Sequence, residues 1–320
     1  MNVQAPAIRA PSHDTRAALS RGLWLGLLGV VIFAFTLPMT RLATGTADAP
    51  LMSGVFIALG RAVVAAVLSA LLLWATRAPL PTRDTWLPLV FTSAGVVLGF
   101  PLLTSIAMRH VEAVHASVIV GVLPLATAAA GALLHRQRPS TGFWLCAALG
   151  SALVVTYAVL RSGAGGSGIR IGFHWADGLL LAAMLFAAMG YAWGAKLSQR
   201  MRAEHVICWA LVIALPFTLP LAYVTRPLAA MPATAWWAFG YLAVFSMWLG
   251  FFAWYRGLAL GGTVRVSQVQ LAQPFISMLF AVPLLGESLD AVTVLFGIAV
   301  IATVFAGRRM PVHSKQKATP

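Results

Sequence analysis

Charge is scarce in this chain of 320 residues. Asp, Glu, Lys and Arg together make up 9% of it against 60% hydrophobic residues, and mean hydropathy is +0.87. A soluble domain carries about 25% charged residues, and with so few a water-facing surface could not be covered. Composition therefore excludes a soluble protein, although the length alone would suit roughly two soluble domains. Acids are the scarcest charges, eight against 22 Lys and Arg, for a formal charge of +14. Cysteine is limited to Cys146 and Cys208. Both sit in apolar stretches with no loop framework, so they read as small apolar fillers and not as a disulfide. Strand-like alternation is missing, which excludes a β-barrel. No His, Cys, Asp or Glu cluster has metal-ligand spacing, and the glycines of 163–168 follow no strand, so they do not form a nucleotide loop. Serines at depth have no His or Asp partner. No metal, cofactor or catalysis is expected.

What fills the chain instead is long apolar runs. A helix needs about 20 apolar residues to cross the hydrocarbon core. Ten stretches qualify: 22–40, 52–74, 86–108, 114–134, 142–160, 178–195, 206–224, 237–255, 266–286 and 291–307. The apolar residues run all round each stretch, as lipid and neighbouring helices demand. Arg61 is the one formally charged residue inside them. The first stretch is too long for a signal-peptide core, and Arg41 precedes the cleavage-like Ala47-Asp48-Ala49, so it is read as a retained span. With ten spans, sixteen of the basic residues fall on the side of the two termini and five on the other. Both termini are therefore expected in the cytoplasm, and the positive charge is a topology signal that leaves no nucleic-acid partner to explain.

The longest connection, 161–177, is a Gly- and Ser-rich linker, and it leaves five spans on each side. An odd number per half makes the halves insert with opposite orientations, the arithmetic of an inverted repeat. A shift of 150 superposes Trp86 on Trp236, Ser117 on Ser267 and Pro124 on Pro274; at the front of each half a shift of 156 brings Gly22 to Gly178 and Phe35 to Tyr191. The expected organisation is a short polar tail (1–20), a first five-helix repeat (22–160), the linker, a second repeat (178–307) and a basic tail (308–320). Both tails read as disordered.

On these residues the chain resembles the drug/metabolite transporter superfamily, in its EamA branch. The matching pieces are Pro50 followed by Arg61, Trp193-Gly194-Ala195-Lys196 ending the sixth span, the mid-span Pro124 and Pro274, and Gly286-Glu287 before Gly297. Leu37-Pro38 and Arg136-Gln137 depart from the pattern in the first half. The resemblance implies an all-α polytopic membrane fold of ten helices in two EamA-like units. It also implies export of amino acids or other metabolites, and the branch most resembled moves aromatic or other neutral amino acids. Small multidrug-resistance relatives use an intramembrane Glu in the first span to bind proton or cation in turn. No acid falls inside any stretch here, which disfavours that chemistry.

Polar and aromatic residues at depth are then the material for a path. The ninth span concentrates Ser267, Gln268, Gln270, Gln273 and Ser277. A regular α-helix would align Gln270, Pro274 and Ser277, with Gln273 adjacent, and Pro274 would free a carbonyl near Gln270. These amides either bind substrate or join helices. Ser117 belongs to a weaker copy in the fourth span. Phe33, Phe100, Thr104, Tyr191, Trp193 and Trp248 complete the candidate cavity. Arg61 either holds a substrate carboxylate or braces helix ends. Trp86, Trp144, Trp236 and Trp237 read as an interfacial belt. Pro38, Pro101, Pro124 and Pro274 are candidate hinges. The expected function is export of a small neutral or zwitterionic metabolite, an amino acid above all, across the inner membrane by alternating access. It would be a facilitator working as a monomer in the bilayer. The alternatives are a proton-coupled drug or metabolite antiporter using His115, and a membrane scaffold or intramembrane enzyme.

Overall fold

Prolines, glycines and caps decide where the apolar runs start, break and touch. A computed structural model describes residues 13–45, 49–107, 123–134, 137–164, 175–285 and 291–314. The first span is the helix His13–Ala34 followed by Thr36–Thr44. Pro38 has no N–H for the Ala34 carbonyl and crowds it, so the helix breaks at Phe35. Residues 13–20, expected to be disordered, continue this helix. The second span, Gly54–Ala75, starts where Ser53 Oγ accepts from the Phe56 N–H at 3.0 Å. It ends on Arg77 in the left-handed region (φ 46°), with Ala78 N–H donating to Leu73 O at 2.9 Å and Arg77 N–H to Trp74 O at 3.1 Å.

The third and eighth spans share an uncommon feature. Arg83–Thr92 passes through a π-helical segment, Ser93–Gly99, into Phe100–Ala107. Ala233–Tyr241 passes through another, Leu242–Leu249, into Gly250–Gly261. Phe100 N–H donates to Gly95 O and Gly250 N–H to Phe245 O, five residues back in each case. Residues 95 and 245, like 100 and 250, stand 150 apart. The fourth span is seen as Leu123–Leu134, the fifth as Thr141–Ala164, the sixth as Trp175–Leu197 and the seventh as Ala203–Val224. The ninth runs Thr263–Val266, Ser267–Ala272 (3₁₀) and Gln273–Leu285, and the tenth is Ala291–Arg309. Six spans (first, second, third, sixth, seventh, eighth) are long and apolar enough to cross a membrane on length and composition; shorter apolar helices occupy the places of the fourth, fifth and tenth.

Packing respects the repeat. The first span packs on the eighth and the sixth on the third; the second pairs with the seventh, the fifth with the tenth and the fourth with the ninth. Exchanging each span for its counterpart in the other half leaves this scheme unchanged. Glycines set the two long crossings. A Cβ at Gly22 would collide with the Gly261 backbone, and one at Gly95 with the backbone of Phe186 and Gly190. The tail after the tenth span is partly ordered, against expectation. Strand β2 (Val312–Ser314) pairs antiparallel with β1 (Gln137–Pro139), and Arg265 Nη2 donates to Met310 O at 3.3 Å, so backbone pairing holds what composition alone would leave loose. Trp74 and Trp237 are about four-fifths exposed at span ends, as an interfacial belt requires, and Cys146 and Cys208 are free.

Spans also begin earlier than hydropathy alone places them, so Arg61 is not their only charge. The four described acids, Asp14, Asp84, Asp177 and Glu204, each stand in the first turn of a helix. Free N–H groups and the helix dipole favour an anion there. Among the described residues none lies at mid-depth.

Candidate functional site

The ninth span turns on Pro274. Its missing N–H leaves the Gln270 carbonyl without an α-helical donor, and the Gln273 N–H takes it instead, closing a tighter turn. The freed carbonyl expected from the sequence is thus already used. The alignment changes as well: at three residues per turn Ser267, Gln270 and Gln273 share a face, in place of Gln270, Pro274 and Ser277. Ser267 spends its hydroxyl on Val264 O at 3.1 Å. Gln270 is 4% exposed and its Oε1 has no hydrogen-bond partner, while Gln273 and Pro274 are half-buried.

Around Gln270 the chain gathers five spans. The Tyr191 hydroxyl of the sixth faces the Gln270 amide and interacts electrostatically with Arg61 of the second. The Tyr191 ring stands edge-on to Trp254 at 5.4 Å between centroids and 6.2 Å from Phe251, both on the eighth. Phe33 of the first closes the wall, 5.1 Å from Phe251 and 6.3 Å from Trp254. Tyr255 packs on Gly194 and donates to Gly190 O at 3.3 Å, which fixes the eighth span against the sixth. Arg61 Nε and Trp254 Nε1 are buried without partners. An unsatisfied buried polar group costs about 1–3 kcal/mol, and more when charged. Two unused donors and one unused acceptor thus stand among these rings, polar atoms that a guest could satisfy.

The structure does not bring every expected residue here. Phe100 is half-buried against the same apolar core, and Thr104 Oγ1, one turn on, is enclosed without a partner. Trp193 turns to the third span, stacked on Phe91 at 5.7 Å with Lys196 Nζ 4.9 Å from its ring centre. Trp248 lies with Cys208 and Ser69 between the second, seventh and eighth spans and meets Phe252 at 5.0 Å. Pro38, Pro101 and Pro124 are buried. Ser117, His115 and Gly286-Glu287 lie outside the described residues. Phe251 and Trp254 belong to the cluster where Trp248 was expected. Their signal is the spacing of Gly250, Trp254, Gly257 and Gly261, one face of the eighth span, turned to the first.

A second aromatic group stands towards the opposite end of the same spans. Phe35, at the break, stacks on Phe280 at 3.7 Å and meets Tyr241 at 5.6 Å. Tyr241 donates to Ile32 O at 3.0 Å and Thr36 Oγ1 bonds Ser246 Oγ at 2.9 Å, tying the break to the π-helical segment. Two surface clefts lie away from both groups. One of about 300 Å³ is walled by Leu73, Trp74 and Trp209, and another of about 190 Å³ lies beside the Asp84–Arg200 ion pair (2.8 Å). The first is apolar and faces outward, and neither adjoins the unpartnered groups at depth.

Known proteins can now be set beside this geometry. The profile of the EamA-like transporter family matches residues 20–157 and 174–306. The uncharacterized transporter YdeK of Bacillus subtilis (strain 168) is 43% identical over 289 residues, 89% of this chain and 96% of that protein. A solved crystal structure of another protein has the same fold, with a TM-score of 0.73 over 90% of this chain and 98% of the other, at 14% identity.

Proposed function

This chain belongs to the EamA-like transporter family, and from that membership we propose that it exports small neutral or zwitterionic metabolites, amino acids above all, by alternating access. The observation that carries the substrate reading is the enclosed box of Arg61, Tyr191, Gln270 and Trp254, built from both halves, with polar atoms unused and aromatic walls around them. Each of the two long glycine crossings joins a span of one half to a span of the other, which supports a rocking motion about a central site. The described acids all stand at helix starts, so the reading needs no proton-binding carboxylate and the protein works as a facilitator down the substrate gradient. The excess of basic residues on the terminal side supports an inner-membrane protein with both termini in the cytoplasm, and the described side chains of the box all come from one chain, which fits a monomer. The test is counterflow in liposomes holding purified protein. Labelled neutral amino acids should exchange faster than in protein-free liposomes, and equal rates would remove the reading.

A further inference from the structure

We propose that the central cluster recognises a carboxylate: the Arg61 guanidinium holds the carboxylate of an amphiphilic substrate whose apolar body lies against Phe33, Phe251 and Trp254. The ammonium of an amino acid is then secondary, and apolar monocarboxylates without an amine are ligands too. This deepens the transport reading and rests on it.

Arg61 carries the inference. Arginine keeps its charge in proteins, so the usual escape of a buried base, losing its proton, is closed to it. It is 9% exposed, its Nε is sealed without a partner, and among the described residues it forms no ion pair and no hydrogen bond. An arginine that braces helix ends would spend its five donors on carbonyls or an acid. This one leaves its Nε unspent, and the fork of the guanidinium fits a carboxylate two-fold. The neighbours agree in polarity. Trp254 Nε1 is a second unused donor, and Tyr191 supplies a hydroxyl beside it. The one unused acceptor in the group is Gln270 Oε1. Donors in excess of acceptors, around a fixed cation, fit an anion.

An ammonium finds much less. Among the described residues no acid lies at mid-depth, so it would meet Gln270 Oε1 and the ring faces of Trp254 and Phe251. Net charge gives the same result. A monocarboxylate on Arg61 makes a neutral pair at the place where an isolated charge is most costly, whereas an amine without a carboxylate adds a second positive charge.

The experiment holds the ring constant and varies the head group. L-phenylalanine, 3-phenylpropionate, phenethylamine and phenylalanine amide are titrated against the purified protein, read by tryptophan fluorescence, and used as competitors in counterflow. Phenylalanine and 3-phenylpropionate should bind within about tenfold of each other. The two carboxylate-free compounds should be weaker by about a hundredfold or more, the loss expected when one partner of a buried charge pair is missing. Arg61→Gln should abolish the difference and Arg61→Lys should keep part of it. If those variants do not fold, the ligand series on the unaltered protein still decides. Phenethylamine binding as tightly as 3-phenylpropionate overturns the proposal even where phenylalanine exchanges normally, which leaves the transport reading standing. Binding of 3-phenylpropionate with no exchange of any amino acid upholds the carboxylate site and removes the transport reading. Failure of all four compounds to bind overturns the proposal.

Discussion

Gln270 separates two roles that a polar side chain in a membrane helix can play. A glutamine that joins helices has its amide oxygen and nitrogen bonded across the interface, and cutting it back loosens the bundle. Gln270 Oε1 is instead enclosed and unpartnered beside Tyr191 and Trp254. The rest of the amide meets the Tyr191 hydroxyl, so removal of the side chain sets one cross-helix hydrogen bond against one unsatisfied oxygen and the empty protein loses little. Gln270→Ala should therefore lower amino-acid counterflow by about tenfold, the worth of one or two hydrogen bonds to the guest, while the melting temperature holds or rises. Counterflow and thermal shift on the same preparation check this. An unchanged rate with a lowered melting temperature would return the residue to helix packing. Arg61 differs in kind, because its charge was visible in the sequence as the one basic residue inside an apolar stretch. That made it a candidate at once. Its lack of an internal partner is a property of the packed bundle and could not be read from residue order.

The ninth span shows how one proline sets the aim of Gln270, the side chain proposed to bind substrate. Pro274 withholds the donor for Gln270 O, Gln273 supplies it from one residue nearer, and the segment Ser267–Ala272 tightens to three residues per turn. That change swings Gln270 round the axis relative to a regular helix by about 20° per residue of 3₁₀ geometry. Pro274→Ala restores the N–H and allows the α-helix to run through. The expected result is a more stable protein, since a helix-interior proline costs about 3 kcal/mol, that transports several-fold more slowly because Gln270 is turned aside. A higher melting temperature with reduced counterflow supports this account, and full transport in the variant removes the aiming role of the proline. The sequence showed that the proline was there and that a carbonyl would lose its donor. It did not show who would take that carbonyl, because the competition between a 3₁₀ bond and a free group is decided by neighbours. The π-helical segments at Ser93–Gly99 and Leu242–Leu249 were hidden for a related reason. They insert no breaking residue common to both: Pro101 follows the first, whereas Phe251 stands at the matching place after the second.

Across the two halves, symmetry was the best-read property, and the proposed site lies where the halves depart from it. The shift of 150 that paired Trp86 with Trp236 also relates the two π-helical hydrogen bonds, and the span contacts exchange in the same way. The aromatic groups do not exchange so simply. Phe35 stacks on Phe280 and meets Tyr241 at a tilt, whereas its counterpart Tyr191 joins Trp254 in the central box. Residues that align in sequence have thus been given different work, and only packing shows which. In a rocking mechanism the box must open to one side at a time. The Phe35–Phe280 stack lies where the first span breaks, joins the first span to the ninth, and is tied to the eighth through Tyr241 and Thr36. On the proposed alternating access, the stack is the closure at the end of the first span away from the N-terminus. With Cys146 and Cys208 replaced by Ser, a Phe35→Cys, Phe280→Cys pair treated with a short bifunctional thiol reagent should hold this closure shut. Counterflow should then stop, and a cleavable reagent should allow its recovery on reduction. Each single-cysteine variant should keep transporting after the same treatment. Continued exchange by the cross-linked pair would mean that the first and ninth spans do not separate during transport, and the moving boundary would have to lie elsewhere between the halves.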